Sequence, residues 1–185
     1  KVDANNQTIS ASDESDVWHI GNPLKRVWDT TDADFNRRRK ELYVNISPNI
    51  AWLLDPTNPG VRYLALRDLA RLAPDAPELL AARQTAHTGG PIAAILDQMH
   101  PEGYWSEPGP GYYPKYTSSV WSLVLLAQLG ASANCDERIG RACAYILDAG
   151  LTPQGQFSAS GSPSGTADCL QGNLCEALVS LGCRD

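Results

Sequence analysis

The feature that most constrains the fold of this chain is an internal repeat. Gly103-Tyr104-Trp105-Ser106 recurs as Gly155-Gln156-Phe157-Ser158, and Leu129-Gly130 recurs as Leu181-Gly182. Both landmarks lie 52 residues from their second copies. Two landmarks with one spacing rarely arise by chance, and a fixed period is the signature of repeat architectures. We therefore interpret the stretch from His100 to Gly130 as one full copy of a repeat.

Apolar residues spaced three and four apart predict helices through most of the chain, and no segment shows the alternation of a strand. The helices are expected to begin at caps or prolines and to end at Gly or Pro. Their predicted bounds are Ser47 to Asp55, Asn58 to about Leu72, Glu78 to His87, Pro91 to Met99, Thr117 or Ser118 to Leu129, Asp136 to Ala149, and Thr166 or Asp168 to Leu181. In the second of these, the predicted buried stripe consists of Val61, Leu64, Ala65, Leu69 and Leu72.

The predicted helices differ in how apolar they are. The helices that end at Leu129 and Leu181 are apolar almost all round, whereas the helix that follows Asp136 is amphipathic. A helix that is apolar on every side must be buried on every side. Apolar helices in an inner layer and amphipathic helices in an outer layer satisfy this condition. The sequence therefore predicts an all-α fold of α/α-hairpin repeats of toroid type, as an incomplete barrel or arc.

The chain is expected to divide into two regions. Residues 1–16 are polar and lack aromatic side chains, so we predict an extended N-terminal arm. Residues 17–29 contain two tryptophans, which are costly to leave in water, and a short helix is predicted from Asp32. The predicted regions are thus residues 1–45, an arm with a docking segment, and residues 46–185, the repeat domain.

The second copy of the repeat is expected to be incomplete. Gly130 is followed by a predicted outer helix, but Gly182 is followed only by Cys183-Arg184-Asp185. The chain begins with Lys1, which indicates a processed or trimmed protein. We expect either an open arc or a fragment whose inner face is closed by another copy.

Composition excludes several classes of function. A formal net charge of −6 argues against nucleic-acid binding, which needs a basic face. No apolar run approaches the roughly 20 residues that span a bilayer. The sequence contains no GxSxG, HExxH, GxGxxG or P-loop motif. The five cysteines form no CxxC and predict small buried thiols, with a disulfide framework as the alternative. We expect a cytoplasmic protein, with a secreted one as the alternative.

The Gly-Tyr-Trp-Ser turn before an inner helix resembles the α/α-toroid superfamily, which includes squalene and hopene cyclases and the β subunits of protein prenyltransferases. Five strings look like a bacterial family of squalene-cyclase/prenyltransferase-repeat proteins: Ile50-Ala51-Trp52-Leu53-Leu54, the segment from Val61 to Leu69, His100-Pro101-Glu102-Gly103-Tyr104-Trp105, the segment from Pro114 to Trp121, and Cys169-Leu170-Gln171-Gly172-Asn173. The resemblance covers about residues 46–185. It implies a toroid fold with an apolar or isoprenoid ligand in its concave face.

The catalytic residues of these relatives are not all present. Hopene-type cyclases use an Asp in a D-x-D-D run, which this chain lacks. Prenyltransferases hold zinc with Asp, Cys and His. Asp168 and Cys169 offer two of these ligands, with His87 or His100 as the third, but adjacent helix residues point about 100° apart. In the interpretation that we favour, Asp168 caps the helix and Cys169 packs inside. We therefore expect no cofactor, with zinc as the less favoured alternative.

The most site-like group is aromatic and lies before and within the first inner helix. In a toroid such loops line one mouth of the central cavity, where aromatic walls bind apolar chains or sugars or stabilise cations. The candidate ligand-binding residues are Tyr112, Tyr113, Tyr116, Trp121, His100 and Glu102. Packing between repeats is the alternative role for Trp105 and Trp121, and both roles stay open for the tyrosines. For His100 the alternative is an interaction with a helix end.

Two hypotheses for function follow. In the first, the chain is a terpenoid-cyclase/prenyltransferase-like domain that binds an apolar or isoprenoid molecule. No catalytic residue is assigned, because neither a D-x-D-D acid nor a complete zinc-ligand set is present. In the second, the chain is a non-enzymatic scaffold that assembles with another copy or another chain through its arm and concave face.

Overall fold

Helices form most of residues 51–183, which are the residues described by the computed structural model of the chain. This range contains six α-helices and no β-strand, which confirms the all-α prediction. The helices are α1 (Pro59–Leu64), α2 (Pro77–Thr88), α3 (Gly90–Leu96), α4 (Ser119–Gln128), α5 (Glu137–Ala149) and α6 (Asp168–Leu181). A π-helical turn (Ala65–Leu69) continues α1, and 3-10 turns occupy Trp52–Leu54 and Pro163–Gly165. The predicted arm of residues 1–45, its helix from Asp32 and the predicted helix start at Ser47 lie outside the described residues.

Several helix ends are where capping chemistry predicts them. Asp136 is the N-cap of α5, and its carboxylate accepts a hydrogen bond from the backbone N–H of Arg138 at 2.9 Å. Gly130 and Gly182 follow α4 and α6 with φ of +76° and +93°, the left-handed region that favours glycine. These three positions confirm the predicted start of α5 and the predicted ends of α4 and α6.

The predicted caps of α6 are wrong. Its N-cap is Ala167, and Asp168 is already the first helical residue. Thr166 does not cap the helix, because its hydroxyl donates to the Pro163 carbonyl at 2.9 Å. Asp168 still stabilises the N-terminal end of α6, because a carboxylate in the first turn interacts favourably with the helix dipole.

The helices pack in the order of the chain, and α5 lies beside α4. The α1 helix packs against α2, α2 against α3, and α3 contacts α4. The α4 helix then contacts α5 and makes its most extensive contact with α6. The largest fully buried apolar side chains come from the π-helical turn and from α3 to α6, and they are Leu66, Ile92, Leu96, Leu123, Leu126, Ile139, Ile146, Leu174 and Leu181.

The buried stripe predicted for the helix from Asn58 to about Leu72 is wrong at two positions. Val61 and Leu69 are exposed, whereas Tyr63 and Leu66 are buried. For Leu69 the cause is the π-helical turn, in which the N–H of Ala70 bonds to the carbonyl of Ala65, five residues earlier. The extra residue in that turn rotates the following side chains away from the face that an α-helical period predicts.

The α4 and α6 helices are not buried on every side, contrary to the burial predicted from their apolar sequences. Leu125 is 45 % exposed and Val179 is 51 % exposed. Neighbouring helices of the described range cover only part of each helix, so an apolar face stays open.

The prediction of buried thiols holds only for Cys143, since Cys169 and Cys175 are exposed.

The 52-residue offset relates two turns with the same hydrogen bonds. The first turn (His100–Trp105) follows α3, and the second turn (Thr152–Phe157) follows α5. In the turns, His100 N bonds to Tyr104 O as Thr152 N does to Gln156 O (2.8 Å each), and Gly103 N bonds to His100 O (2.9 Å) as Gly155 N does to Thr152 O (2.8 Å). The same offset relates the ends of α4 and α6. There, Gly130 N bonds to Ala127 O (2.9 Å) as Gly182 N does to Val179 O (3.1 Å), and Ala131 N bonds to Leu126 O (3.0 Å) as Cys183 N does to Leu178 O (2.9 Å). The sequence landmarks therefore mark equivalent local backbone structures.

Candidate functional site

Trp105 has a structural role in the first turn. Its side chain is only 3 % exposed, and its indole N–H donates to the Ile95 carbonyl of α3 at 2.7 Å. Its backbone N–H donates to the hydroxyl of Ser119 at 3.1 Å, at the start of α4. Trp105 thus ties the turn to the helix before it and to the helix after it.

His100 and Glu102 belong to this turn and do not line either cavity described below. The His100 ring stacks on Tyr104 with 4.4 Å between ring centroids, and Tyr104 packs on Tyr145 of α5 at 5.3 Å. The His100 Nδ1 accepts a hydrogen bond from the backbone N–H of Glu102 at 3.3 Å and lies 3.8 Å from its carboxylate. The structure therefore brings these two candidates to each other and places them apart from the aromatic candidates.

The other four candidates form one aromatic cluster. The Tyr112 ring lies 5.0 Å from Tyr113 and 5.3 Å from Trp121, and Tyr116 lies 5.1 Å from Trp121. These are ordinary separations for aromatic pairs. The Trp121 indole N–H donates to the Tyr112 carbonyl at 2.9 Å, which fixes the loop to α4. Tyr113 and Tyr116 are exposed, at 64 % and 75 %.

The loop that carries these tyrosines is held against the first turn of α4. The Gly111 carbonyl accepts bonds from the Ser118 hydroxyl at 2.7 Å and from the Val120 N–H at 2.9 Å. Gly111 has φ of +72°, and a Cβ there would lie 2.8 Å from the Cβ of Ser119, so the close approach requires glycine. Tyr116 also has a positive φ, of +71°, which is uncommon for a residue with a side chain. Backbone strain of this kind clusters at ligand sites.

A cavity of about 210 Å³, the aromatic cavity, lies between this loop and the first turns of α4 and α6. Its lining is mainly apolar and consists of Tyr112, Tyr113, Val120, Trp121, Val124, Ala159, Gly165, Ala167, Cys169, Leu170 and Asn173. Tyr116 does not line it but contacts Trp121 at its edge. The ammonium of Lys115 lies 5.7 Å from the centre of the Tyr112 ring. The prediction that Cys169 packs inside the protein is wrong, because Cys169 is exposed and lines the cavity.

Within residues 51–183, no three His, Cys, Asp or Glu side chains are grouped so that they would hold a metal ion. His87, named as a third zinc ligand, is 3 % exposed and uses both ring nitrogens. Nε2 accepts from the Ser132 N–H at 3.0 Å, so the proton is on Nδ1, which donates to the Arg83 carbonyl at 2.8 Å. His87 therefore links α2 to the segment after α4, a contact that its sequence surroundings do not indicate.

A second cavity, of about 480 Å³, lies at the other ends of α4 and α6, and we call it the arginine cavity. Its lining is mainly polar and consists of Tyr63, Arg67, Arg83, Ala127, Gln128, Gly130, Ala131, Ser132, Glu176 and Ser180. Sequence reasoning missed this cavity. The one available signal was Arg67, which lies in a string already chosen for its family resemblance.

The pKa values of Asp68 and Cys143, which lie outside both cavities, are shifted by their surroundings. The Arg67 guanidinium donates to Asp68 at 2.7 and 2.9 Å and thereby lowers the pKa of that carboxyl. Burial raises the pKa of the Cys143 thiol, and a hydrogen bond with the Cys183 thiol raises it further. Cys143 is therefore a protonated thiol at neutral pH and a poor nucleophile.

Comparison of the chain with protein-family models, with curated proteins and with solved structures found no match. The resemblance to squalene cyclases and prenyltransferases therefore stays a prediction from sequence motifs. A separate finding concerns membranes: none of the helices in residues 51–183 has the length and apolar content that crossing a bilayer requires.

Proposed function

We propose that the chain is a terpenoid-cyclase/prenyltransferase-like α/α-toroid domain that binds an apolar or isoprenoid molecule in the aromatic cavity. The observation that carries this proposal is the cavity wall, in which Tyr112, Trp121 and Leu170 meet from a loop and two helices. Sites for small molecules are concave and mostly apolar, with a few polar groups that fix orientation. The hydrogen bonds that recur at 52 residues support the repeat arrangement that this proposal includes.

The polar groups of the aromatic cavity suit a ligand with one hydroxyl or ether oxygen. The Asn173 amide lines the cavity and has no hydrogen-bond partner among the described residues. It supplies both a donor and an acceptor. The cavity volume of about 210 Å³ lies below the roughly 300 Å³ at which pockets for drug-sized ligands begin. The cavity therefore accommodates one end of an isoprenoid chain, and the remainder extends from its open side.

Titration with the isoprenoid alcohol farnesol, followed by calorimetry, tests the proposal. We expect Trp121→Ala to weaken binding about tenfold or more, because it removes a large apolar wall. Trp52→Ala is the matched control, since Trp52 is 64 % exposed and lies outside the cavity. Equal affinities of the two variants, or no binding of farnesol by the wild-type protein, would contradict the proposal.

A second candidate function is the scaffold or interaction module. The observation in its favour is the set of exposed apolar side chains on or beside α4 and α6, namely Tyr113, Tyr116, Leu125 and Val179. Apolar surface of this kind is typical of interaction sites. If it mediates self-association, sedimentation equilibrium will show a dimer that Leu125→Ser weakens. A monomer at every concentration would remove self-association from consideration.

A further inference from the structure

We propose that the arginine cavity is a binding site for the phosphate group of a small polar molecule. This site is separate from the aromatic cavity, and the two share no lining residue. The proposal rests on the guanidinium groups of Arg67 and Arg83, on the polar walls and on the net charge of the lining.

Arg83 has unused hydrogen-bond donors at the cavity wall. Its Nε donates to the Cys135 thiol at 2.9 Å, and within the described part of the chain no carboxylate pairs with it. A guanidinium carries five N–H donors in a planar fork, so both terminal nitrogens of Arg83 stay available to a ligand. A fork of this geometry matches two oxygens of a phosphate.

Arg67 is held in place at the same cavity. Asp68 accepts two of its N–H bonds, and its guanidinium carbon lies 5.4 Å from the centre of the Tyr63 ring. Gly130 allows this position, because a Cβ there would lie 2.7 Å from Nη1 of Arg67. The end of α4 is therefore shaped around this guanidinium, which lines the cavity together with Tyr63.

The rest of the lining favours a polar anion. Gln128, Ser132 and Ser180 add amide and hydroxyl groups, and the one acidic residue of the lining is Glu176, whose carboxylate accepts from the Ser180 hydroxyl at 2.7 Å. With two arginines and one glutamate, the lining carries a net charge of +1. The volume of about 480 Å³ lies within the range of small-molecule sites, roughly 300 to 1,000 Å³, and exceeds what a free phosphate ion fills. A phosphate ester of a polar molecule therefore fits these walls better than the bare ion.

Calorimetric titrations at low ionic strength with inorganic phosphate and with glucose 6-phosphate test this inference, and glucose serves as the uncharged control. We expect both phosphates to bind and glucose not to bind. Arg83→Gln should weaken binding about tenfold or more, since it removes charge-assisted hydrogen bonds. Arg141→Gln is the matched control, because Arg141 lies outside the cavity and bonds to Pro101 O and Glu137. Tighter binding of the ester identifies an organic phosphate as the ligand, and equal binding identifies the free ion; both results support the site.

Glu176→Gln keeps the inference falsifiable if Arg83→Gln does not fold. Glu176 is exposed, so this change leaves the core intact, and removing a negative charge from the lining should tighten phosphate binding about threefold. Unchanged or weaker binding by Glu176→Gln, equal affinities of Arg83→Gln and Arg141→Gln, or no phosphate binding by the wild-type protein would each overturn the inference. Farnesol binding should be the same in all three variants, which keeps this test independent of the proposed function.

Discussion

The first and second turns have the same backbone hydrogen bonds, but different side chains hold them. In the first turn, the Ser119 hydroxyl accepts from the N–H of Trp105. In the second turn, the Gln171 amide oxygen accepts from the N–H of Phe157 at 2.8 Å, and the Gln171 amide nitrogen donates to the Phe157 carbonyl at 2.7 Å. Phe157 lacks the indole N–H that binds Trp105 to α3, and Gln171 makes the additional bond instead. The repeat therefore preserves a backbone geometry, whereas the side chains that stabilise this geometry vary.

The largest expected effect comes from removing the aromatic ring of either turn. Trp105→Ala should lower the free energy of unfolding by about 4 kcal/mol, because it leaves a cavity and removes the indole hydrogen bond to the Ile95 carbonyl. Phe157→Ala should cost about 3 kcal/mol, because Phe157 is also buried but makes no side-chain hydrogen bond. Urea denaturation measures both values. A smaller loss for Trp105→Ala than for Phe157→Ala would contradict the additional hydrogen-bonding role assigned to the Trp105 indole.

The glycines of the two turns provide a matched pair. Gly103 has φ of +98°, and a Cβ there would lie 2.8 Å from the carbonyl oxygen of Arg141. Gly155 has φ of +77°, but a Cβ there would meet nothing within 4 Å. Gly103→Ala should therefore cost about 3 kcal/mol, from backbone strain and overpacking, and Gly155→Ala about 1 kcal/mol, from strain alone. Equal thermal unfolding midpoints for the two variants would contradict the packing of the first turn against α5.

Removing the side chains that accept hydrogen bonds from the N–H groups of the two turns should lower the free energy of unfolding by smaller amounts. Gln171→Ala removes two hydrogen bonds with Phe157, and Ser119→Ala removes one with Trp105. We expect losses of about 2 and about 1 kcal/mol respectively, because each bond contributes about 1 kcal/mol. Hydrogen exchange at the N–H groups of Trp105 and Phe157 locates the effect. Faster exchange at the wrong turn in either variant would argue against these assignments.

The smallest expected effect concerns the helix that joins the two copies. A side-chain hydrogen bond with Arg138 lowers the pKa of Asp136, the N-cap of α5. The folded-state pKa lies below the unfolded value of about 3.9, so this contribution is present above about pH 4 and is lost as the pH falls through the folded-state pKa. Asp136→Asn should cost less than about 1 kcal/mol at pH 7 and should flatten the acid limb of the stability profile. An acid limb identical to that of the wild-type protein would contradict this role.

Local sequence signals predicted the features that depend on neighbouring residues. Asp136 and the glycines at 130 and 182 mark helix ends through capping chemistry that acts within a few residues. The aromatic cluster was also predictable, because Tyr112 and Trp121 are only nine residues apart. The opposite wall of the aromatic cavity was not, since Leu170 reaches it only through the packing of α6 on α4.

Features that depend on long-range packing or on an irregular helix could not be predicted from the sequence. The π-helical turn moved Leu69 to the surface, because a single inserted residue changes the phase of a helix without any motif. The arginine cavity combines Arg67, Arg83 and Glu176 from three separate helical segments. No spacing in the sequence relates these residues, so only the tertiary structure shows that they line one cavity.

Trp105 holds the first turn in place and Trp121 lines the proposed ligand site, and NMR distinguishes these two roles directly. The indole N–H of Trp121 bonds to the Tyr112 carbonyl beside the aromatic cavity, whereas that of Trp105 bonds to Ile95. The five indole N–H signals are assigned with single Trp→Phe variants and followed during a farnesol titration. We expect the Trp121 signal to shift in a saturable way and the Trp105 signal to stay constant. A shift of the Trp105 signal alone, or no shift at Trp121, would contradict the division of roles between the first turn and the aromatic cavity.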